Sequence, residues 1–252
     1  MKILISDIDG TLYFEDKKDK IMPSDLESIK KLQSNGHLFG VCTGRSYSGV
    51  KLAIENFDIN LDFMILASGA IILNSEENIV KKLTMERNIV EQIYNCISSS
   101  NCEIQFTTDK YFYFKGPTEY TSSNAVRFND FYEIPEEEFT TFALGFNDCK
   151  ELENVKNLLN DNFGDYISTH RNKNSLDISR KECSKGVAIA ELREFFNVDE
   201  NDIHVIGDSY NDISMFQSTT NSYTFFNSPQ IVKDNAKYLV NSISECINII
   251  LD

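Results

Sequence analysis

The sequence predicts an α/β protein, built on a doubly wound and mostly parallel sheet with an α+β module inserted into it. Short apolar runs alternate with helical patterns in the first third and again in the last third of the chain, as in right-handed βαβ crossovers. The middle of the chain differs, because aromatic strands joined by hairpin turns lie beside helices there. We therefore expect a core at 1–79 and 183–252 and an inserted module at 80–182.

The elements of the predicted core follow from local patterns. The apolar run 3–5 suits a buried strand that ends at Asp7. Ser24 and Glu27 form a capping box, which predicts a helix beginning at Ser24, and Gly36 ends that helix. Further predicted core elements are strands at 38–42, 63–66 and 203–206, a helix from about Ser46, a helix at 184–196 and a helix after Asp208.

The inserted module is predicted from strand and turn signals. Its first pattern is helical at 85–97, and two aromatic strands follow. Residues 108–110 have the composition of a hairpin turn between those strands. The predicted strands of the module are 103–107, 111–115, 141–146, 166–169 and 175–178, with a second helix at 148–162.

Charge and cysteine usage exclude several classes of protein. The 252 residues contain 24 Lys and Arg against 39 Asp and Glu, a net charge of −15 that argues against a nucleic-acid partner. No apolar run reaches a membrane span, and Asp7 falls too early for a signal peptide. Six cysteines are scattered without a C-x-x-C pair, which favours reduced thiols. We expect a cytoplasmic protein without a membrane partner.

Four polar features are predicted to lie at one edge of the core sheet. The segments 7–11, 43–45 and 207–212 each follow a predicted strand, and Lys185 opens a helix. In open α/β sheets, ligands bind beyond the carboxyl ends of the strands. The convergence of four features at that edge predicts a functional site.

Three aspartates in this group indicate a metal. Asp7, Asp9 and Asp208 would repel each other at one sheet edge unless a cation lay among them, and their hard oxygen ligands suit Mg²⁺. A calcium loop is excluded, because Gly10 would stand at position 4 counted from Asp7, whereas an EF-hand requires glycine at position 6. The structural alternative is that Asp7 and Asp9 cap a turn.

Lys185, Thr43 and Gly44 indicate an anion. A lysine in the first turn of a helix opposes the helix dipole, and an anion held nearby would make that position favourable. Thr43 offers a hydroxyl and Gly44 a bare backbone N–H, which both suit phosphate oxygens. The alternatives are a solvated surface lysine and an ordinary strand-to-helix turn.

These motifs, in this order, resemble the haloacid dehalogenase (HAD) superfamily of aspartate-nucleophile phosphohydrolases. The D-x-D-G-T-L motif matches 7–12, the second-motif Thr falls on Thr43, the third-motif Lys on Lys185, and G-D-x-x-N-D on 207–212. The resemblance is to the Cof-type branch, which implies a Rossmann-like core with a large α/β cap of the IIB type, here the inserted module. The chain departs from that branch after the third strand, where Ser68-Gly69-Ala70 replaces Asn-Gly-Ala.

The resemblance implies a Mg²⁺-dependent phosphatase that acts in two steps. Asp7 would be the nucleophile and Asp9 the general acid and base. The implied metal set is Asp7, Asp9 through its backbone carbonyl, and Asp208, with Asp212 in a supporting role. The implied phosphate-binding residues are Thr43, Gly44, Lys185 and Asn211.

The substrate and some alternatives stay open at this stage. The implied substrate is a small phosphorylated metabolite such as a sugar phosphate, a nucleotide or a cofactor phosphate. A signalling receiver domain uses similar residues but needs only about half this length, and a phosphomutase or a non-catalytic phospho-ligand binding protein uses the same scaffold. Aromatic residues of the module either stack on a substrate ring or form its own core: Phe106, Tyr113, Phe128 and Tyr132. The sequence does not predict the oligomeric state.

Overall fold

Two compact units make up the chain in the computed structural model, which describes residues 1–108, 111–120, 124–172 and 174–252. Unit 1 comprises Met1–Lys81 and Ser184–Asp252, and unit 2 comprises Lys82–Cys183. The hairpin turn predicted at 108–110 lies outside the described residues, apart from Thr108.

The strands and helices alternate along most of the chain. The strands are β1 (Ile3–Ser6), β2 (Leu38–Cys42), β3 (Phe63–Leu66), β4 (Ile71–Asn74), β5 (Ile79–Lys82), β6 (Met85–Glu86), β7 (Cys102–Thr107), β8 (Phe112–Lys115), β9 (Ala125–Arg127), β10 (Glu138–Phe139), β11 (Thr141–Phe146), β12 (Ile167–Asn172), β13 (Ser175–Arg180), β14 (Ile203–Ile206), β15 (Asn221–Phe225) and β16 (Tyr238–Val240). The helices are α1 (Pro23–Ser34), α2 (Tyr47–Ile54), α3 (Arg87–Cys96), α4 (Cys149–Phe163), α5 (Lys185–Phe196), α6 (Ile213–Phe216), α7 (Gln230–Asn235) and α8 (Ile243–Leu251). Within the described ranges, no helix is both long enough and apolar enough to cross a membrane.

Unit 1 is built on one large sheet with the strand order β16-β15-β14-β1-β2-β3-β4-β5. The strands from β16 to β3 run parallel, and β4 returns antiparallel to β3. Side chains of β1 alternate between the two faces of the sheet, so that Leu4 packs in one hydrophobic cluster and Ile3 and Ile5 in the other. Residues of α1 and α8 cover the first face, and residues of α5 and α7 cover the second. The predicted fold class, a doubly wound α/β sheet, is confirmed.

Unit 2 is an α+β structure with its own core. Its sheet has the order β12-β13-β11-β7-β8-β9, with antiparallel neighbours except for the parallel pair β8–β9. A small second sheet pairs β6 with β10. Residues of α3 and α4 share one hydrophobic cluster with apolar residues of β7, β11 and β13. Unit 2 therefore buries one face of an antiparallel sheet under two helices.

Aromatic rings fill the core of unit 2. Phe106 lies 5.5 to 5.7 Å, measured between ring centroids, from four other phenylalanines: Phe128, Phe131, Phe139 and Phe142. Tyr113 is also buried, whereas Tyr132 is 75% exposed. Of the four aromatic residues singled out in the sequence, three therefore form core and only Tyr132 is open to solvent.

Several local predictions are wrong, for identifiable reasons. The first helix does not begin at Ser24, because Met22 is its N-cap and Pro23 takes the first helical position, where a missing N–H costs nothing. The predicted helix at 85–97 begins later, at Arg87, because its first two residues form β6. The sequence patterns also missed the short strands β4, β5, β9, β10, β15 and β16, most of which lie at the sheet edges.

Candidate active site

The carboxyl ends of three neighbouring strands bring the predicted site residues of unit 1 to one edge. Asp7 follows β1, Thr43 follows β2, and Asp208 lies two residues after β14. The Asp7 N–H donates to the Ile206 carbonyl over 2.9 Å, so the chain is still paired with β14 at this residue. The parallel register therefore aims the three polar segments at the same region.

A buried ion-pair network forms the centre of this region. The Lys185 Nζ donates to Asp7 Oδ1 over 2.8 Å and to Asp212 Oδ1 over 2.6 Å. All three side chains are almost completely buried. Lys185 is thus not a solvated surface lysine, because its charge at the start of α5 is matched by two carboxylates.

Asp208 is held beside this network by the first motif. Thr11 Oγ1 donates to Asp208 Oδ1 over 2.6 Å. Gly10 has a φ of +86°, and a Cβ atom there would lie 2.5 Å from Asp208 Oδ2. Only glycine fits this close approach of the backbone to a carboxylate, so Gly10 and Thr11 together fix the position of Asp208.

Asp212 connects the last motif to Lys185. Its Oδ2 accepts the N–H groups of Asp208 and Ser209, both over 2.9 Å, while its Oδ1 accepts from Lys185. A carboxylate oxygen of Asp212 also lies within 4.8 Å of carboxylate oxygens of Asp7 and Asp208. Asp212 therefore orders the loop after β14 and orients the lysine at the same time.

Burial is the largest single influence on the pKa values of Asp7, Asp208 and Lys185. It raises the pKa of Asp7 from 3.8 to about 7, although the neighbouring Lys185 charge opposes the rise. Burial also raises the pKa of Asp208 to about 6, against the hydrogen bond from Thr11. Burial lowers the pKa of Lys185, but the charges of Asp212 and Asp7 outweigh it, and the pKa lies above its usual value. The lysine is therefore firmly cationic.

Asp9 lies apart from this network and contacts an arginine. Arg45 Nε donates to Asp9 Oδ2 over 2.8 Å, and Arg45 Nη2 donates to Asp9 Oδ1 over 2.6 Å. Arg45 Nη1 also donates to the Gly49 carbonyl over 2.9 Å. This bidentate pair holds the Asp9 carboxylate, which is 57% exposed, in one orientation.

The predicted phosphate-binding residues offer both hydrogen-bond donors and hydrogen-bond acceptors. Thr43 is buried, and its Oγ1 accepts the Arg45 N–H over 3.1 Å. Gly44 is exposed, and its N–H has no acceptor within the described ranges. Asn211 Oδ1 is buried without a hydrogen-bond partner among the described residues. Such an orphaned acceptor next to a carboxylate cluster points to a ligand that the chain alone does not supply.

The cluster fits a divalent cation by charge and by donor type. When ionised, Asp7, Asp208 and Asp212 carry three negative charges against one positive charge on Lys185, so one divalent ion would neutralise the group. All the donors are oxygen atoms, which Mg²⁺ prefers. The side chain of Asp9 is not part of the cluster, which leaves its backbone carbonyl as the ligand predicted for that residue.

Comparison with known proteins identifies the family. The family model of haloacid dehalogenase-like hydrolases matches residues 4–247. The chain belongs to the haloacid dehalogenase-like hydrolase family. The resemblance seen in the motifs and the predicted enzyme class, a phosphatase of this superfamily, are thereby confirmed. The roles of the individual site residues stay predictions.

Relatives and solved structures match the chain over almost its whole length. The 5-amino-6-(5-phospho-D-ribitylamino)uracil phosphatase YwtE of Bacillus subtilis is 26% identical, over 97% of this chain and 94% of the relative. A haloacid dehalogenase-like hydrolase from B. subtilis has a TM-score of 0.87 at 19% identity, covering 100% of this chain and 99% of that one. The HAD subclass IIB sugar phosphatase BT4131 has a TM-score of 0.81 at 20% identity, covering 100% and 98% of the two chains.

The sequence predicted no role for two residues that contact the aspartates of the site. Arg45 stands directly after the Thr43-Gly44 pair, and Thr11 lies within the first motif, but neither residue type marks its partner in the sequence. The bidentate contact to Asp9 and the hydrogen bond to Asp208 appear only when the loops meet in the fold. The one available signal was their position inside segments already assigned to the site.

Proposed function

We propose that this HAD phosphatase hydrolyses small phosphomonoesters in two Mg²⁺-dependent steps, with a phosphoryl group carried transiently by Asp7. One observation carries the proposal. Lys185 binds Asp7 Oδ1 and holds it in place, so that Oδ2 is left as the attacking oxygen of a buried and oriented carboxylate. A carboxylate that served only to cap a turn would not need a buried lysine.

In the first step, Asp7 Oδ2 attacks phosphorus and the bond from phosphorus to the leaving alcohol breaks. Asp9 donates a proton to that alcohol and becomes a carboxylate. In the second step, water attacks phosphorus, Asp9 takes the proton from the water, and Asp7 leaves as a carboxylate. Because Arg45 binds both oxygens of Asp9 in the structure, one of the two hydrogen bonds must break when that oxygen carries the proton, while the other keeps the carboxyl group oriented.

The remaining groups bind charge. Lys185, the Thr43 hydroxyl, the Gly44 N–H and the side-chain N–H of Asn211 would donate hydrogen bonds to the phosphoryl oxygens. The carboxylates of Asp7 and Asp208 and the backbone carbonyl of Asp9 would hold Mg²⁺. When bound, the ion would neutralise negative charge on the phosphoryl group that is transferred. These local cations explain how a protein with a net charge of −15 accepts an anionic substrate.

We assign the chemistry to unit 1 as the catalytic core and the choice of leaving group to unit 2 as the cap. All the motif residues lie in unit 1, while unit 2 has a separate core. Unit 2 also contains a cleft of about 710 Å³ whose lining includes Glu103 and Asn174. We expect Glu103→Gln and Asn174→Ala to change the ranking of substrates and to leave the turnover of p-nitrophenyl phosphate within about twofold. An unchanged ranking in both variants would argue against this division of roles.

A panel of phosphomonoesters tests the proposed function. It would contain sugar phosphates, nucleotides, cofactor phosphates and 5-amino-6-(5-phospho-D-ribitylamino)uracil, the ester named for the relative YwtE. We expect release of inorganic phosphate with Mg²⁺ and none after chelation, with Asp7→Asn as the inactive control. Undiminished release in chelator would exclude the metal. Transfer of the phosphoryl group to a second sugar hydroxyl, without free phosphate, would indicate a phosphomutase instead.

A further inference from the structure

The loop that follows β3 has an unusual backbone. Ala67, Ser68 and Gly69 have φ angles of 50°, 56° and 104°, three left-handed residues in a row. Glycine adopts this region freely, whereas alanine and serine do so at a conformational cost. Strain of this kind persists only where the surroundings impose it, and it concentrates at functional sites.

Neighbouring parts of unit 1 impose this conformation. The Ala67 N–H donates to the Arg45 carbonyl and the Ser68 N–H to the Thr43 carbonyl, both over 2.9 Å. On the other side, a Cβ atom on Gly69 would lie 2.5 Å from the carbonyl oxygen of Ser184, the N-cap of α5. The loop is thus fixed between the Thr43 segment and the start of the helix that supplies Lys185.

The side chain of Ser68 extends from this strained backbone toward Gly44. Its Oγ lies 3.5 Å from the position that a Cβ atom on Gly44 would occupy. Ser68 is half-buried, and its hydroxyl has no hydrogen-bond partner in the part of the chain that the structure describes. The Ser68 hydroxyl and the Gly44 N–H, which have no acceptors among the described residues, therefore belong to two residues that are in contact in the fold. Free donors on neighbouring residues suit an anionic oxygen.

We infer that Ser68 is a substrate-binding residue whose hydroxyl donates a hydrogen bond to the phosphoryl oxygen that the Gly44 N–H binds. The inference rests on the proposed function, because it places a phosphoryl group beside Gly44. A hydroxyl on a fixed backbone loses little freedom when it binds, so the strained loop pre-organises the donor. Ser68 contributes to binding, and Asp7 and Asp9 carry out the chemistry.

Two substitutions separate the hydroxyl from the strain. Ser68→Ala removes the hydroxyl and keeps the strained Cβ, whereas Ser68→Gly removes the hydroxyl and relieves the strain. The dissociation constant of inorganic phosphate, measured by calorimetry in the presence of Mg²⁺, should rise by about tenfold in both variants, as for the loss of a hydrogen bond to a charged group. The melting temperature should rise by about 2–4 °C only in Ser68→Gly.

Asn197→Gly is the matched control. Asn197 is also left-handed, with a φ of 50°, and it caps the opposite end of α5. This variant should leave the phosphate dissociation constant unchanged. If phosphate binds Ser68→Ala and Ser68→Gly as tightly as the wild type, or if the wild type does not bind phosphate, the inference is overturned. If phosphate binding weakens as expected but no phosphomonoester is hydrolysed, the proposed function fails and the role of Ser68 in binding stands.

Discussion

The two units differ in what they bury. Among the described residues, the charged side chains with almost no exposure are Asp7, Asp25, Lys185 and Asp212, and all four belong to unit 1. The core of unit 2 consists of apolar and aromatic side chains, and within its described ranges the buried polar residues are Thr108, Thr140 and Ser179. Buried charges cost stability unless they are paired, so a fold retains them where they serve chemistry or capping.

This difference indicates that the two units rely on different interactions. Unit 1 accepts three carboxylates and a lysine in a small volume, which suits a reaction that moves negative charge. Unit 2 gains its stability from ring packing around Phe106. Substitutions in the cluster of unit 1 should therefore reduce catalysis, whereas substitutions in the core of unit 2 should reduce stability.

The largest expected effect comes from Asp7→Asn. The amide is a poor nucleophile, so phosphate release should fall by about 10⁴-fold or more. The melting temperature without metal should not fall, because the change removes one charge from a cluster of like charges. Asp25→Asn is the control. Asp25 is buried and accepts the Ser244 N–H over 2.8 Å, so this variant should lose stability and keep its activity. Equal losses of activity in the two variants would contradict the assignment of Asp7 to the chemistry and Asp25 to the structure.

The next effect concerns the core of unit 2. Phe106→Ala should destabilise the protein by about 3–5 kcal/mol, because it removes a fully buried ring and leaves a cavity among four other rings. Thermal unfolding would measure the loss. Tyr132→Ala, at a side chain that is 75% exposed, should change the stability by no more than about 0.5 kcal/mol. A similar loss in both variants would contradict the assignment of Phe106 to the core.

The pH dependence of metal stabilisation gives a smaller effect. The folded-state pKa values of Asp7, about 7, and Asp208, about 6, lie above the unfolded value of 3.8. Without metal, the folded protein binds more protons than the unfolded chain between about pH 4 and 7. The free energy of unfolding therefore falls as the pH rises through that range. Mg²⁺ competes with those protons.

We therefore expect the rise in melting temperature on adding Mg²⁺ to be larger at about pH 7.5 than at about pH 5.5, by about 3 °C or more. Taking the difference at each pH cancels the contribution of buried His204, whose pKa burial lowers to about 4. Asp58→Asn removes an exposed carboxylate that pairs with Lys30, and it should show the same difference as the wild type. A rise that is independent of pH would argue against metal at the cluster.

The smallest effect is expected at Arg45. Arg45→Met removes both hydrogen bonds to Asp9 and lets that exposed carboxylate move, so kcat should fall by about tenfold while KM changes little. Arg193→Met breaks an exposed ion pair with Glu200 in the same unit and should leave both constants unchanged. A rise in KM alone would show that Arg45 binds substrate instead of positioning Asp9.

The sequence predicted where the site residues of unit 1 meet, but not how some strands of unit 2 pair, and the reason is physical. Parallel topology forces residues at the carboxyl ends of neighbouring strands to meet, so the spacing of Asp7, Thr43 and Asp208 was sufficient to bring them to one edge. In unit 2, the parallel pair β8–β9 and the pairing of β6 with β10 depend on tertiary packing, which no local pattern encodes.

Within the site, residue types were predictable and partners were not. Lys185 was conspicuous as a cation at the start of a helix, and the structure places it between Asp7 and Asp212. The sequence could not show that Asp9 faces Arg45, because that contact depends on side-chain directions in two loops. The capping box at Ser24 failed because Pro23 competes for the first turn of the same helix.

The central claim is that Asp7 carries the phosphoryl group and Asp9 only transfers protons. The most direct test is Asp9→Asn with p-nitrophenyl phosphate, quenched in acid and examined by intact mass and peptide mapping. Because this leaving group needs little protonation, the second step should slow more than the first, by about 10²–10⁴-fold. We expect one phosphoryl group to accumulate on Asp7. A phosphoryl group found on any other residue, such as a serine or histidine, would contradict the account.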